Sequence, residues 1–171
     1  MSSDKLKIAV AQMTSTDDVS ANLHKVLDAF NEASQADLVI FPENTLYFRI
    51  RSGTELQSPS ADDLSALSEA VNKGLSALML TTATRSDGGK FLNSTLLFEP
   101  GHAPRLVYSK VHLFDVDVAG APPVRESEYF LNGLSPALIE FRGWRIGLSI
   151  CYDIRFAELY LNYSQKADLI L

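Results

Sequence analysis

RIGLSICYDIRFAELY, residues 145–160, places the chain's one cysteine, Cys151, between an apolar run and a charged one. RIGLSI carries β-branched and other apolar residues, as a buried strand does. RFAELYLNYSQK, from Arg155 to Lys166, has the spacing of a helix. The stretch predicts a strand, a thiol, and then a helix ending near Lys166. Such junctions belong to α/β sheets, where ligands sit beyond strand ends and a helix N-terminus can aim its dipole at an anion.

Working outward, ALIEF (137–141) joins RIGLSI through Arg142, Gly143 and Trp144 as a hairpin, and ADLIL (167–171) begins a further strand. Toward the N-terminus, KIAVAQM (7–13) is a strand. Thr16, Asp17 and Asp18 offer caps to a helix whose Val19, Leu23, Val26, Leu27, Phe30 and Ala33 recur at helical spacing. ADLVIFPE (36–43) is a second strand stopped by Pro42, and residues 44–59 read as loop. Ser60 caps a second helix with Leu64, Leu67, Val71 and Leu75 on its apolar face. SALMLTTATR (76–85), the turn SDGG and KFLNSTLLFEP (90–100) form another hairpin, and RLVYSK (105–110) is a strand. Residues 111–136 are long and irregular, as functional or mobile loops are. The order β-α-β-α, hairpins, β-α-β predicts a mixed α/β protein, read as one domain over 1–171.

The composition narrows the class. At 46% apolar, the 171 residues can bury a real core. Fifteen basic against twenty-one acidic residues give a net charge of −6, which argues against nucleic acid or an anionic membrane as partner. One cysteine forms no intrachain disulfide, in keeping with a reducing compartment. No signal-peptide pattern or long apolar window is present, so we expect a cytoplasmic protein without membrane insertion. His24, His102 and His112 lack close ligand spacing, so no metal site is expected, and Gly88–Gly89 belongs to a turn rather than a phosphate-binding loop.

Three strands end on polar residues. DLVIFP runs into Glu43, RLVYS into Lys110 and RIGLSI into Cys151. A carboxylate can take a thiol's proton, and an ammonium favours the thiolate and stabilises an oxyanion. The set suits attack on a carbonyl or nitrile carbon. Each residue also has an ordinary reading: a small core thiol, a solvated carboxylate, a surface charge.

FPENTLY around Glu43, YSKVHLFDVDV around Lys110 and GLSICYDIRFAELY around Cys151 resemble the nitrilase superfamily of carbon–nitrogen hydrolases. KIAVAQM followed by a helix resembles that family's opening, and the motifs fall in the family's order from residue 5 to 171. The resemblance implies a four-layer α-β-β-α sandwich, incomplete at the C-terminus relative to the family domain. It implies Glu43 as general base, Lys110 as catalytic lysine and Cys151 as nucleophile, with the Tyr152 backbone N–H helping to hold the oxyanion. Glu126, in VRESEYF, matches an auxiliary glutamate that positions Lys110 and substrate, ahead of Glu128. KVHLFDVDV and CYDIRF look most like the branch holding ω-amidases and deaminated-glutathione amidases.

The resemblance further implies a small amide substrate, a thioester intermediate, no cofactor, and a homodimer or higher homo-oligomer formed through the helix after Cys151. Phe156, Leu159, Tyr160 and Tyr163 would be interface or core. Arg155 pairs with Glu158 or, less simply, binds a substrate carboxylate. The other readings are hydrolysis of an N-carbamoyl amide, a catalytically inactive nitrilase-like chain with a binding role, and a generic α/β binding domain with a buried Cys.

Overall fold

A computed structural model describes residues 5–50 and 53–171. The loop expected over 44–59 therefore lies partly outside the described residues, at Arg51 and Ser52. The chain divides into two compact units: residues up to Thr84 with Ser94–Val107, and Arg85–Asn93 with Tyr108–Leu171.

The first unit contains β1 (Ile8–Val10), α1 (Val19–Glu32), β2 (Leu38–Ile40), α2 (Ala61–Asn72) and most of β3 (Ala77–Arg85), β4 (Phe91–Phe98) and β5 (Arg105–Ser109). The five strands neighbour one another in the order β1-β2-β3-β4-β5. β1, β2 and β3 are parallel, with Val39 opposite Ala9 on one side and Leu78 on the other. Both crossovers are therefore helical, as parallel neighbours require.

Side-chain alternation builds the core. Leu78 and Leu80 of β3, Val39 of β2, and Leu96 and Phe98 of β4 cluster with Val26, Phe30, Leu67 and Val71 from the two helices. Leu75, expected on the apolar face of α2, instead lies beyond its end and is exposed.

The caps are local and legible. Asp18 accepts the Ala21 N–H at 3.0 Å. Ser60 accepts the Asp63 N–H at 3.2 Å while the Asp63 carboxylate accepts the Ser60 N–H at 2.8 Å, a reciprocal box.

In the second unit, the start of β4 pairs in parallel with β8 (Phe130–Leu131). The stretch read as irregular contains a small antiparallel hairpin of β6 (Asp115–Val116) and β7 (Val124–Arg125), then a single 3-10 turn, Glu126–Glu128. Two-residue strands have too little periodicity to be read from sequence. β9 (Ala137–Phe141) and β10 (Trp144–Leu148) pair as the expected hairpin, and β11 (Leu169–Ile170) lies parallel to β10 on its other side. Arg142 and Gly143, both at positive φ, make the two-residue turn, so Trp144 belongs to the strand rather than to the connection.

The helix expected after Cys151 is broken. Cys151–Arg155 is a 3-10 turn, Phe156 is extended, and α3 runs only over Ala157–Tyr163. Leu159 and Tyr163 are buried, whereas Tyr160 is only partly covered. The Tyr163 ring lies against Gly147, where an added Cβ would come within 2.8 Å of ring carbon. Its hydroxyl accepts the Ala137 N–H at 3.0 Å and donates to the Leu148 carbonyl at 2.8 Å, fixing α3 onto the β9–β10 sheet.

Candidate active site

Glu43 lies in the first unit, three residues beyond β2, on a segment with little freedom. The Phe41 N–H bonds the Met79 carbonyl at 2.9 Å and the Thr45 N–H bonds the Thr81 carbonyl at 2.8 Å, so both flanks of Glu43 follow β3. Asn44 turns the chain at φ 57, a region asparagine tolerates. The Thr45 hydroxyl donates to the Pro42 carbonyl, closing the bend.

Asn22, fully buried on α1, clamps this segment from below. Its amide donates to the Thr16 and Leu46 carbonyls at 2.8 and 3.0 Å, and its oxygen accepts the Thr16 N–H at 3.0 Å. The helical pattern concealed it, since an apolar residue would fill that buried position equally well.

Lys110 lies in the second unit, immediately after β5, with 2% of its surface exposed. A buried ammonium must be paired. Its Nζ donates to Glu126 Oε2 at 3.0 Å and to Oε1 at 3.3 Å. Glu126 also accepts the Phe114 N–H at 2.6 Å and the Asn93 amide at 3.3 Å. Of the two glutamates considered in VRESEYF, Glu126 is thus the one at the lysine.

The Lys110 backbone is held as firmly. Its N–H bonds the Asn93 carbonyl at 2.8 Å and its carbonyl accepts the Gly133 N–H at 2.7 Å. At Gly133 an added Cβ would fall 2.0 Å from the Ser109 carbonyl oxygen, so no side chain fits there.

Cys151, in the same unit, opens the 3-10 turn after β10 and is exposed. The reading of the thiol as a small core residue is therefore not met. Its φ is 47, in the left-handed region that cysteine rarely adopts. Such conformations persist where surrounding bonds enforce them, and they concentrate at active sites.

Two residues on lies Asp153, a residue given no role by the sequence reading. It is fully buried, and its carboxylate receives four bonds: Tyr108 Oη at 2.7 Å, His112 Nδ1 at 2.8 Å, and the N–H groups of His112 and Ile150 at 2.9 and 3.0 Å. Burial, with the adjacent carboxylate, pushes the Tyr108 phenol well above the ordinary tyrosine value, so it stays protonated and donates to Asp153 while accepting the Val111 N–H at 3.4 Å. The His112 ring stacks on Phe156 with centroids 3.7 Å apart. Tyr152 meets Phe114 and Phe156 edge-on at 4.8 and 5.4 Å.

The 3-10 turn alters one expectation. An α-helix does not begin at Cys151, so no α-helical dipole starts at the sulfur; the residues from Cys151 to Arg155 form a 3-10 turn instead. Among the described residues no group of three His, Cys, Asp or Glu side chains could hold a metal ion, and no helix is long and apolar enough to cross a membrane.

Omega-amidase NIT2 of Danio rerio is 32% identical over 98% of this chain and 62% of its own length. The chain thus spans about three-fifths of that curated relative. Nit3 of Saccharomyces cerevisiae, a solved member of branch 10 of the nitrilase superfamily, superposes with a TM-score of 0.76 at 25% identity, covering 96% of this chain and 62% of that one. An amidase of Nesterenkonia sp. AN1, solved with acrylamide added at its active-site cysteine, superposes with a TM-score of 0.73 at 21% identity, covering 97% of this chain and 65% of that one. These likenesses give the nitrilase-type α/β fold that the motifs implied. Residues 7–171 match the family described as carbon-nitrogen hydrolase, and the chain belongs to that family, in the nitrilase superfamily with the ω-amidases among its relatives.

Proposed function

We propose that the chain is the catalytic portion of a cysteine-dependent amidase that hydrolyses a non-peptide carbon–nitrogen bond of a small amide, an ω-amide of a dicarboxylic acid being the substrate of choice. The observation that carries the reading is an exposed cysteine in left-handed backbone, in the same unit as a buried lysine neutralised by a glutamate. The similarity to Omega-amidase NIT2 supports the substrate class.

In this mechanism the Cys151 thiol passes its proton to Glu43 as the Sγ–C bond forms and the carbonyl π pair moves to oxygen. Lys110 and the Tyr152 N–H stabilise the oxyanion, one such donor being worth about 10²–10³ in kcat. The oxyanion collapses and the C–N bond breaks. The nitrogen takes the proton from Glu43 and leaves as ammonia, with a thioester on Cys151. Water then adds, giving its proton to Glu43. The C–S bond breaks, the acid departs and the thiol is reprotonated. Glu126 keeps Lys110 oriented, and the chemistry uses no cofactor.

The test is Cys151→Ala assayed with the monoamide of succinate. Ammonia release should disappear, and acid-quenched wild type should carry an acyl adduct on the peptide containing Cys151. Undiminished release from the variant would end the nucleophile assignment.

One observation favours a second reading. His112 is bonded to Asp153 at 2.8 Å, the arrangement that orients a general base in Cys–His hydrolases. Glu43→Gln separates the two: it abolishes turnover if Glu43 is the base and spares it if His112 is.

A further inference from the structure

The bonds to Asp153 have an order that the proposed mechanism does not use. Three come from Tyr108 and His112, which stand two residues before and two residues after Lys110. The third donor residue, Ile150, immediately precedes Cys151, and Asp153 itself follows Cys151 by two residues. One buried carboxylate therefore brackets both the lysine and the cysteine. We propose that Asp153 is a positioning residue that ties the Cys151 turn to the Lys110 strand end and thereby sets the thiol in reactive register with the ammonium. The inference rests on the reading of Cys151 as nucleophile and Lys110 as its electrostatic partner.

A carboxylate that loses its water needs several donors, and here four converge on it from three residues. The Ile150 N–H is drawn back onto Asp153 within the same turn, and the Asp153 N–H bonds the Ile150 carbonyl at 3.0 Å. That reciprocal closure tightens the segment into a 3-10 turn. It accounts for left-handed backbone at Cys151, which would otherwise relax. The Tyr108 and His112 bonds then fix where the tightened turn sits. A core needing only to be filled would accept an apolar residue at 153; the four convergent donors are present because a charge at that point joins two segments.

The test uses Tyr108→Phe, which removes one hydroxyl and keeps the ring, and Asp153→Asn, which keeps the shape but cannot accept from all four donors. Each variant is checked for folding by circular dichroism and thermal melting. Two readouts follow: alkylation of Cys151 by iodoacetamide near neutral pH, and hydrolysis of succinate monoamide. Loosening the tie should lower the alkylation rate by about threefold or more, through a smaller thiolate fraction. It should lower kcat by about tenfold or more, the scale of a misplaced reacting group, with KM within about twofold of wild type. Because both substitutions act through one carboxylate, the double variant should be no worse than Asp153→Asn alone.

A purely structural role would lower the melting temperature and leave both rates per folded molecule unchanged. That result in folded Tyr108→Phe overturns the inference, as does additivity in the double variant. If Asp153→Asn does not fold, Tyr108→Phe decides alone. The hydrolase reading fails separately, by full ammonia release from Cys151→Ala. Alkylation would then still report whether Asp153 governs the thiol.

Discussion

The segment that carries Glu43 and the segments that carry Lys110 and Cys151 are held by different physics. The bonds that hold the flanks of Glu43 are neutral: backbone to β3, and the amide of Asn22 to Thr16 and Leu46. Around Lys110 and Cys151 they are ionic and buried: Glu126 on the lysine, Asp153 on the flanks of both. A neutral clamp leaves only a missing hydrogen bond when one partner is removed. A charged clamp leaves an uncompensated charge in a dry site. The lesson is that the second unit stakes more on single residues than the first.

The strongest way to break this contrast is Glu126→Ala. It strands the Lys110 ammonium, and the loss should be roughly 3–5 kcal/mol. Urea unfolding followed by circular dichroism reads it, and the folded fraction should have lost activity. Asn22→Ala should cost less, about 2 kcal/mol, the penalty for buried groups left without a partner. If Asn22→Ala proves the more damaging of the two, the contrast between neutral and ionic clamps is wrong.

The smallest expected effect sharpens the comparison inside the second unit. Asp168 makes a two-pronged pair with Arg145 at 2.7 and 3.1 Å, but in the open. Its hydrogen bonds to Arg145 hold the carboxyl down at about 2. A carboxylate lowered on folding adds stability that is complete above its ordinary value near 4 and is lost as pH falls through 2. Asp168→Asn should therefore be slightly less stable than wild type at neutral pH, with the difference shrinking between pH 4 and 2 and gone below pH 2, as acid unfolding of the two proteins would show. An effect there as large as that of Glu126→Ala would show that burial is not what separates the pairs.

Much of this architecture was legible in the chain because it is local. Helix α1 lies where the spacing of Val19, Val26 and Phe30 placed it, with Asp18 as its cap. Helix α2 starts at the Ser60 box, although Leu75 falls beyond its end because the helix stops at Asn72. The ends of β5 and β10 precede Lys110 and Cys151 as the apolar runs implied. The hairpin of β6 and β7 was not legible, since two residues per strand carry no alternation. Nor was the break at Phe156. The spacing of RFAELYLNYSQK is helical, yet Asp153 bonds back to Ile150 and forward to the Lys110 segment, and these bonds outweigh propensity.

What the amino-acid order determined alone was the longer helices and strands, their caps and turns, and the polar residues that close three strands. Those follow from neighbours within one turn or one hairpin. What only the tertiary structure decided was which side chains secure those residues: Asn22 across 24 positions, Asp153 across 41 and 45. A buried amide or carboxylate is chosen by whichever donors the folded chain gathers around it, and partners so distant leave no periodic trace in the sequence.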